Sequence, residues 1–263
     1  LSIVKAGRMT GFFVGAIKSL NNFYLYSFMP TAKFSRKLNT DYVTFLDDVF
    51  QATISYGIQC QRGDRFMQLI ETALESDKVK LVPMRVTHKD ALLQAASDGK
   101  LWKLWFTSVP NEDAIDSYID TALEQQGLGL SLPYVVIDKQ SNTLIGSTRL
   151  CNADRHHRRV EIGYTWYAQS VQRSWVNTEC KLLLLTHAFE TLNTIAVEFR
   201  THWHNQKSRT AIARLGAKQD GILRSHQVLA DGSIRDTVVF SIIANEWPAV
   251  KNGLVHKLSA WQN

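Results

Sequence analysis

Hydrophobic and polar positions alternate along some parts of the chain, and along others apolar positions recur every three or four residues. Alternating runs rich in β-branched and aromatic side chains predict strands, and the longer spacing predicts helices. The predicted strands cover residues 78–84, 132–138, 143–150, 160–167, 196–202, 217–229 and 233–243. The predicted helices cover residues 88–96, 111–126, 180–192 and 205–215, and a last one follows Asn245 with Pro248 in its first turn. This interleaving predicts an α/β protein with a mixed sheet covered by helices on both faces.

The segment from Arg159 to Gly216 organises these elements, because it carries a strand, a polar loop, a buried helix, a second strand and a short helix in succession. Asn177 is the predicted N-cap of the buried helix, and Gly216 is the residue predicted to end the short one. A strand that enters a helix through a polar loop directs unpaired backbone N–H groups, and the positive end of a helix dipole, at one point. Such a point suits a pyrophosphate.

Several pieces of this segment match a known pattern: the strand Val160 to Tyr167, the loop Gln172 to Asn177, Thr178-Glu179 at the helix start, and Asn205-x-x-Ser208 leading to Arg214-Leu215-Gly216. They resemble the acetyl-CoA-binding core of the GNAT N-acetyltransferases, particularly the RimJ/RimL type that acetylates protein N-termini. By the order of elements the resemblance extends over residues 78–257. It implies a GNAT-like, mixed and mostly antiparallel central sheet, whose two middle strands splay apart and leave room for the pantetheine arm.

The resemblance also implies which residues bind acetyl-CoA. They are Trp166, Tyr167, Ala168, Gln172, Arg173, Ser174, Trp175, Val176, Asn177, Thr178 and Asn205. Trp175 and Asn177 depart from the family pattern, which has small residues at these two places. Because left-handed backbone costs a non-glycine residue about 1–2 kcal/mol, we expect Trp175 to keep right-handed angles, with its indole pointing outward or over the cofactor. The competing interpretation is a loop that no longer binds CoA.

Transfer of an acetyl group to an amine requires the amine to be neutral. An α-amino group has a pKa of about 7.7–8.0, so a modest base is sufficient. The resemblance implies that Glu161, on the central strand, is this general base, acting directly or through a water. The alternative is that Glu161 only forms an ion pair with Arg158, Arg159 or Arg200.

The departing thiolate must be protonated or stabilised by a hydrogen bond. If Asn205 caps the short helix, Ser208 lies in its first turn at the mouth of the cleft. The resemblance implies that Ser208 acts on the leaving sulfur and that Asn205 contacts the cofactor. An ordinary helix start explains the same two residues equally well.

Trp102, Trp105 and Phe106 lie between the first two predicted helices. The equivalent loop lines the acceptor pocket in the enzymes that the chain resembles, so these three residues are predicted to bind the acceptor, with packing in the core as the alternative. His202 and His204 alternate at a strand end. Two histidines without a third ligand seldom form a zinc site, so no metal is predicted.

Residues 1–66 differ from the remainder of the chain. They hold eight Lys and Arg against four Asp and Glu, so +4 of the formal net charge of +6 lies there, and the nearly balanced remainder disfavours a nucleic-acid-binding protein. The apolar run from Gly11 to Ile17 is too short to span a bilayer, and only residues 42–50 show a helical pattern. We interpret residues 1–66 as an N-terminal extension and residues 67–263 as the acetyltransferase domain. One hypothesis is a native start at Met67, and the alternatives are an accessory domain or a membrane-adhering arm.

These observations predict an N-acetyltransferase that moves an acetyl group from acetyl-CoA to a protein N-terminal α-amine, by direct attack in a ternary complex. The cysteines at positions 60, 151 and 180 show no metal-ligand spacing and suit a reducing cytoplasm. The alternative acceptor is a small-molecule amine such as an antibiotic or polyamine. The alternative from another class is a catalytically inactive CoA-binding regulatory module. We expect no nucleic-acid or membrane partner, and a monomer or homodimer.

Overall fold

The computed structural model describes residues 67–229 and 231–261, and the backbone of residues 2–9, 12–19 and 22–27. The chain divides into two compact units, Leu1–Asp64 and Arg65–Asn263. In the first unit, β1 (Ser2–Met9), β2 (Phe12–Ser19) and β3 (Asn22–Ser27) form an antiparallel sheet in the order β1-β2-β3. The hydrophobic pattern predicted none of these strands, because the apolar run there is continuous rather than alternating. The helical pattern at residues 42–50 lies outside the described residues.

An eight-stranded sheet forms the centre of the second unit. Its strands are β4 (Leu74–Glu75), β5 (Val79–Pro83), β6 (Leu132–Asp138), β7 (Thr143–Asp154), β8 (Arg159–Tyr167), β9 (Ala196–His202), β10 (Lys218–Val228) and β11 (Ile234–Ile243). Their order in the sheet is β10-β11-β9-β8-β7-β6-β5-β4. Each neighbouring pair is antiparallel except β8 and β9, which run parallel. The predicted mixed, mostly antiparallel sheet is therefore confirmed.

Helices cover both faces of this sheet, as the interleaved pattern predicted. They are α1 (Lys89–Ser97), α2 (Ile115–Gly127), α3 (Val176–Thr186), α4 (Gln206–Leu215) and α5 (Trp247–Ser259). One face packs with α3, α4 and α5 in a hydrophobic cluster that we call the main core, and the other packs with α1 and α2 in a second core. Among the described residues, none of the helices has the length and hydropathy needed to cross a membrane.

The short helix α4 begins and ends where the sequence predicted. The side chain of Asn205 caps it by accepting a hydrogen bond from the backbone N–H of Ser208 at 3.0 Å. Gly216 ends it with a φ of 103°, the left-handed conformation that glycine adopts readily at a helix C-terminus. Its residues Ile212 and Leu215 are buried in the main core.

The start of α3 differs from the prediction. The helix begins at Val176 with Trp175 as its N-cap, so the prediction of Asn177 as N-cap was wrong. The hydroxyl of Ser174 accepts a hydrogen bond from Val176 N at 3.3 Å and donates one to Val171 O at 2.6 Å, which closes the loop before Asn177 is reached. At its other end the helix continues as one π-helical turn, residues 187–191.

Two other helix starts were predicted too early, whereas α3 begins before the predicted residue 180. Asn111 Oδ1 accepts a hydrogen bond from Ala114 N at 3.0 Å, which holds a turn ahead of α2, so the helix begins only at Ile115. The N-cap of α5 is Glu246 instead of Asn245. In each case a local turn occupies the residues that the hydrophobic period assigned to the helix.

Candidate active site

The parallel pairing between β8 and β9 is short. It ends at Glu161 and Glu198, the third pair of residues in the register. Beyond that point β8 continues to Tyr167 and β9 to His202 without pairing to each other. The two strands therefore enclose a gap that is closed at Glu161, open beyond His202 and edged by backbone groups without a sheet partner. The predicted splay of the two middle strands is confirmed.

A bulge bends β8 beside this gap. Tyr164 and Thr165 on β8 oppose the single residue Thr148 on β7. Tyr164 has a φ of 51°, in the left-handed region that bulky residues rarely adopt. The hydroxyls of Thr148 and Thr165 lie 2.8 Å apart and tie the bulge to β7. Bulges are frequent next to functional sites, where they re-aim side chains, and this one lies beside the gap.

The loop after β8 presents backbone amides at the open end of the gap. Arg173 turns the chain with a φ of 61°, and Trp175 keeps right-handed angles (φ −68°, ψ −20°), as predicted. Within the described part of the chain, no hydrogen-bond acceptor serves the backbone N–H groups of Arg173, Ser174, Trp175, Asn177 and Thr178. Donors gathered at a helix N-terminus bind anions with the help of the helix dipole. These amides therefore fit the diphosphate of CoA.

Side chains of the predicted cofactor residues lie largely elsewhere. The indole of Trp175 packs against the main core with Lys78 Nζ 5.1 Å from its ring centroid, so it does not point outward as expected. Val176 and Tyr167 are buried in the main core, and Trp166 and Ala168 in the second. These residues can therefore contact the cofactor only through their backbone atoms.

Two polar members of the predicted set lie on the surface of the loop. Gln172 is exposed and donates from Nε2 to the carbonyl oxygen of Tyr167 at 2.9 Å, which fixes the loop to the end of β8. Arg173 is also exposed. Its guanidinium adds a positive charge beside the free amides.

Glu161 lies at the closed end of the gap and is only 7% exposed. Its Oε2 accepts a hydrogen bond from Asn152 Nδ2 at 2.8 Å, and Arg200 Nε lies 3.6 Å from the same oxygen. Burial raises the pKa of Glu161, although Asn152 and Arg200 oppose the shift. A carboxylate with a raised pKa that borders a polar cavity is suited to accepting a proton.

The neighbouring Glu198 is held differently. Arg159 Nη2 and Arg200 Nη2 lie 2.6 and 2.9 Å from its two carboxylate oxygens. Burial alone would raise the pKa of Glu198, but the hydrogen bonds from both arginines outweigh it and lower that pKa. The ion pair considered as the alternative role of Glu161 is thus reduced to the longer contact with Arg200, because the arginines bind Glu198 more closely. Facing carboxylates with pKa values displaced in opposite directions are typical of acid–base sites.

A polar cavity of about 170 Å³ adjoins these two carboxylates. It is lined by Asn152, Asp154, Arg159, Val160, Glu161, Glu198 and Arg200. A cavity of this size and polarity has room for ordered water. A water-mediated path for a proton to Glu161 is therefore compatible with the geometry.

Ser208 lies in the first turn of α4, beyond the open end of β9. Its backbone N–H satisfies the cap at Asn205, while its hydroxyl makes no hydrogen bond within the described part of the chain. The strand from Glu198 to His202 spans about 13 Å at the usual rise per residue. Glu161 therefore lies at the paired end of the gap and Ser208 follows its open end, and no hydrogen bond joins their side chains within the described residues.

The loop after α1 divides its aromatic residues between the core and the site. Trp102 packs against the second core, in agreement with the alternative that it serves core packing rather than acceptor binding. Trp105 is 56% exposed, and its ring centroid lies 4.9 Å from that of His202 and 5.5 Å from that of Phe106. His204 joins at 5.7 Å from Trp105. This aromatic–histidine cluster borders the open end of β9, and no metal-ligating group of three residues occurs within the described ranges.

Two buried cations were not predicted from the sequence. Arg149 lies in the middle of β7, and Lys181 directly precedes the four leucines of α3. Lys181 Nζ donates to Thr165 Oγ1 at 2.7 Å and has no carboxylate within 4 Å in the part of the chain that the structure describes. Burial lowers the pKa of Lys181 to about 8. A charged residue next to the apolar positions of a buried element is the signal that would have found both residues.

A mixed sheet that opens between two parallel strands, with free amides at one end of the gap and a buried carboxylate at the other, defines an acyltransferase of the CoA-dependent class. Residues 78–218, which make up more than half of the chain, match the family described as "Acetyltransferase (GNAT) domain". The chain belongs to the GNAT acetyltransferase family, which confirms the resemblance noted in its sequence.

Individual relatives agree with this assignment. The chain is 28% identical over 155 residues to the "Putative ribosomal N-acetyltransferase YdaF" of Bacillus subtilis, a match that covers 56% of this chain and 80% of that protein. It is 29% identical to a GCN5-related N-acetyltransferase from Brucella melitensis of known crystal structure, with a TM-score of 0.67 over 74% of this chain and 89% of that one. Mycobacterium smegmatis RimJ in complex with CoA-disulfide shares the fold, at 22% identity and a TM-score of 0.59 over 71% and 93% of the two chains.

Replacing Lys181 with Met should stabilise the protein most near neutral pH. The pKa of Lys181 is about 8 in the folded protein, against an ordinary value of 10.5. Between pH 8 and pH 10.5, Lys181 is therefore protonated in the unfolded chain but not in the folded protein. The stability of the wild-type protein rises with pH across this range. At pH 7 both states are charged and the burial penalty is fully present, so Lys181→Met should gain up to about 3 kcal/mol, and the gain should shrink toward pH 10. Urea unfolding across this range measures it. Lys103→Met, an exposed lysine, is the control, and a gain that does not change with pH would contradict the prediction.

Proposed function

We propose that this acyltransferase transfers an acetyl group from acetyl-CoA to the N-terminal α-amino group of a protein, by direct attack in a ternary complex. The observation that carries the proposal is the buried, weakly compensated carboxylate of Glu161 at the closed end of a gap whose open end presents free amides. The names of YdaF as a ribosomal N-acetyltransferase and of the fold relative RimJ support a protein acceptor.

The free N–H groups from Arg173 to Thr178 would hold the diphosphate, and Arg173 would neutralise part of its charge. The unpaired edges of β8 and β9 offer backbone donors and acceptors to the amide groups of the pantetheine arm. When bound, acetyl-CoA supplies the activated acetyl thioester. The chain's own contribution is to orient that thioester along the gap and to receive the proton of the attacking amine.

Glu161 acts as the general base. An α-ammonium group with a pKa of about 7.7–8.0 needs little help to lose its proton near neutral pH. The raised pKa of Glu161 brings the carboxylate closer to that value, which strengthens it as a base. Asn152 holds one oxygen of the carboxylate, and the polar cavity beside it accommodates a water that relays the proton.

Ser208 stabilises the leaving sulfur. Its hydroxyl has no hydrogen-bond partner in the described part of the chain, so it is free to donate to a group in the gap. A serine hydroxyl is a weak acid, and donation of a hydrogen bond is enough to lower the energy of a developing thiolate. Asn205 keeps its side-chain nitrogen available for the cofactor, since only its oxygen serves the helix cap.

Direct transfer agrees with the state of the cysteines. Cys151 and Cys180 are free and buried. Burial raises the pKa of the Cys180 thiol to about 12, and burial also raises that of Cys151. Because the nucleophile of a cysteine enzyme is the thiolate, neither residue is suited to forming an acyl-cysteine.

Acetyl-CoA should raise the melting temperature of the protein. A ligand that binds only the folded state stabilises it by about 2.7 kcal/mol at a hundred times its Kd, which corresponds to a shift of several degrees for a domain of this size. S-acetylpantetheine lacks the diphosphate and is the matched control, which should shift the melting temperature much less. No shift at millimolar acetyl-CoA would contradict binding at the free amides.

Glu161→Gln should lower kcat/KM about 10²- to 10⁴-fold, because an amide accepts the hydrogen bond from Asn152 but cannot take up a proton. The base must be ionised, so wild-type activity should fall as the pH drops through the raised pKa of Glu161, and the variant should lose this dependence. Stopped-time assays of thiol release across pH measure both effects. Glu190→Gln, a surface carboxylate bound to Lys251, is the control for charge removal. An equal loss of acetyl-CoA binding in Glu161→Gln would indicate a structural role instead.

In a panel of amines, peptides with a free α-amine should be acetylated faster than polyamines and faster than Nα-blocked peptides that contain lysine. Deprotonating an amine with a pKa near 10.4 costs about 3 kcal/mol more than deprotonating an α-amine. Initial rates of thiol release at equal acceptor concentration, with mass spectrometry of the product, give the ranking. Faster turnover of a polyamine would contradict the proposed acceptor and favour the small-molecule alternative.

A further inference from the structure

Arg149 is a charged residue in the interior of the second unit. It lies in the middle of β7 and is only 1% exposed. Its guanidinium carbon lies 4.5 Å from the ring centroid of Tyr118 and 4.2 Å from that of Tyr164. Both distances are those of cation–π contacts, which leave the N–H groups of the guanidinium to make hydrogen bonds.

Most N–H groups of this guanidinium make no hydrogen bond within the described residues. In the described part of the chain it makes one hydrogen bond, from Nη2 to the carbonyl oxygen of Tyr118 at 3.3 Å, and its Nε is buried without a partner. No carboxylate among the described residues lies within 4 Å of it. A buried cation without an opposite charge is strongly unfavourable, and a bound anion would supply the missing charge.

A cavity of about 320 Å³ leads to this guanidinium. It lies between residues 108–110, the start of α2 and Tyr164, and Arg149 contributes the single charge in its lining. The other lining groups are hydroxyls and apolar side chains. The cavity therefore has a positive end, a polar wall and enough volume for a side chain that carries an anionic group.

The sheet register relates Arg149 to Glu161. Arg149 pairs with Gly163, and Cys151 pairs with Glu161, so the two charged residues are diagonal neighbours on one face of the sheet. Diagonal neighbours lie about 7–8 Å apart. Gly163 leaves room for the Glu161 carboxylate on this face, since a Cβ at that position would lie 2.9 Å from Glu161 Oε1.

We propose that Arg149 binds a carboxylate of the acceptor, within one or two residues of the amine that reacts at Glu161. This inference rests on the proposed function, because it takes Glu161 as the end of the site where the amine lies. A planar carboxylate matches the fork of guanidinium N–H donors and neutralises the buried charge. The carboxylate belongs either to an acidic side chain near a peptide N-terminus or to a small amino-acid-like amine, and both present the same chemistry to Arg149.

The test compares matched acceptors that differ only by carboxylate and amide. Peptides with Asp or Glu at position one, two or three are assayed against the same peptides with Asn or Gln, and free amino acids against their amides, at saturating acetyl-CoA. For at least one position we expect the carboxylate to raise kcat/KM about 10- to 100-fold, as a charge-assisted pair in a water-poor site does. Arg149→Met should reduce this ratio to about one with an unchanged KM for acetyl-CoA. Arg149→Lys should retain part of it, because it keeps the charge and loses the fork.

A second measurement needs only the wild-type protein. An acidic peptide whose amine is blocked should inhibit competitively against the acceptor and not against acetyl-CoA, and its amide counterpart should not inhibit.

Equal rates for every carboxylate and amide pair, or a ratio that survives in Arg149→Met, would overturn the inference. If neutral peptides are acetylated without any preference, the inference fails and the proposed function stands. If only small carboxylated amines react, the proposed acceptor fails and the role of Arg149 stands.

Discussion

The early end of the pairing between β8 and β9 is the constraint on which the rest of the site depends. Two central strands leave each other after Glu161 and Glu198, so backbone groups in the middle of the sheet lose their partners. Unpaired backbone groups are costly in a folded protein unless something else satisfies them. In the function proposed above, a bound thioester carrier supplies such partners. The bulge at Tyr164 and the start of α3 at Val176 direct the remaining elements toward the same gap.

The charged residues around the gap differ in how far a partner neutralises their charge. Glu198 is neutralised by two arginines, and its pKa is lowered accordingly. Glu161, Arg149 and Lys181 are buried with weaker compensation or none within the described residues. A protein selected for stability alone would pair or remove these charges. Local rules of this kind are broken where a site requires it, and here all three exceptions lie on or beside β8.

Some of this architecture was predictable because it depends on local sequence. The bounds of β6 and β9 are those that the hydrophobic period predicted, since buried strands of this length leave a clear apolar pattern. The cap of α4 was predictable because Asn205 and Ser208 are three residues apart and need no distant partner. The start of α3 was not, because the hydroxyl of Ser174 closes the preceding loop in a way that the helical period does not reveal. Glu161 and Ser208 remain catalytic residues by proposal.

The sequence by itself determined the order of the elements from β5 onward, the family and the residue types available to the site, because periodicity and short motifs are properties of neighbouring residues. Only the tertiary structure decided which charges find partners. Arg159 and Arg200 meet Glu198, while Arg149 meets two tyrosine rings and no carboxylate in the described part of the chain. These outcomes follow from strand register and from helices that are distant in the chain. The free energy of a buried charge is set by what surrounds it in space, which the spacing of residues along the chain does not specify.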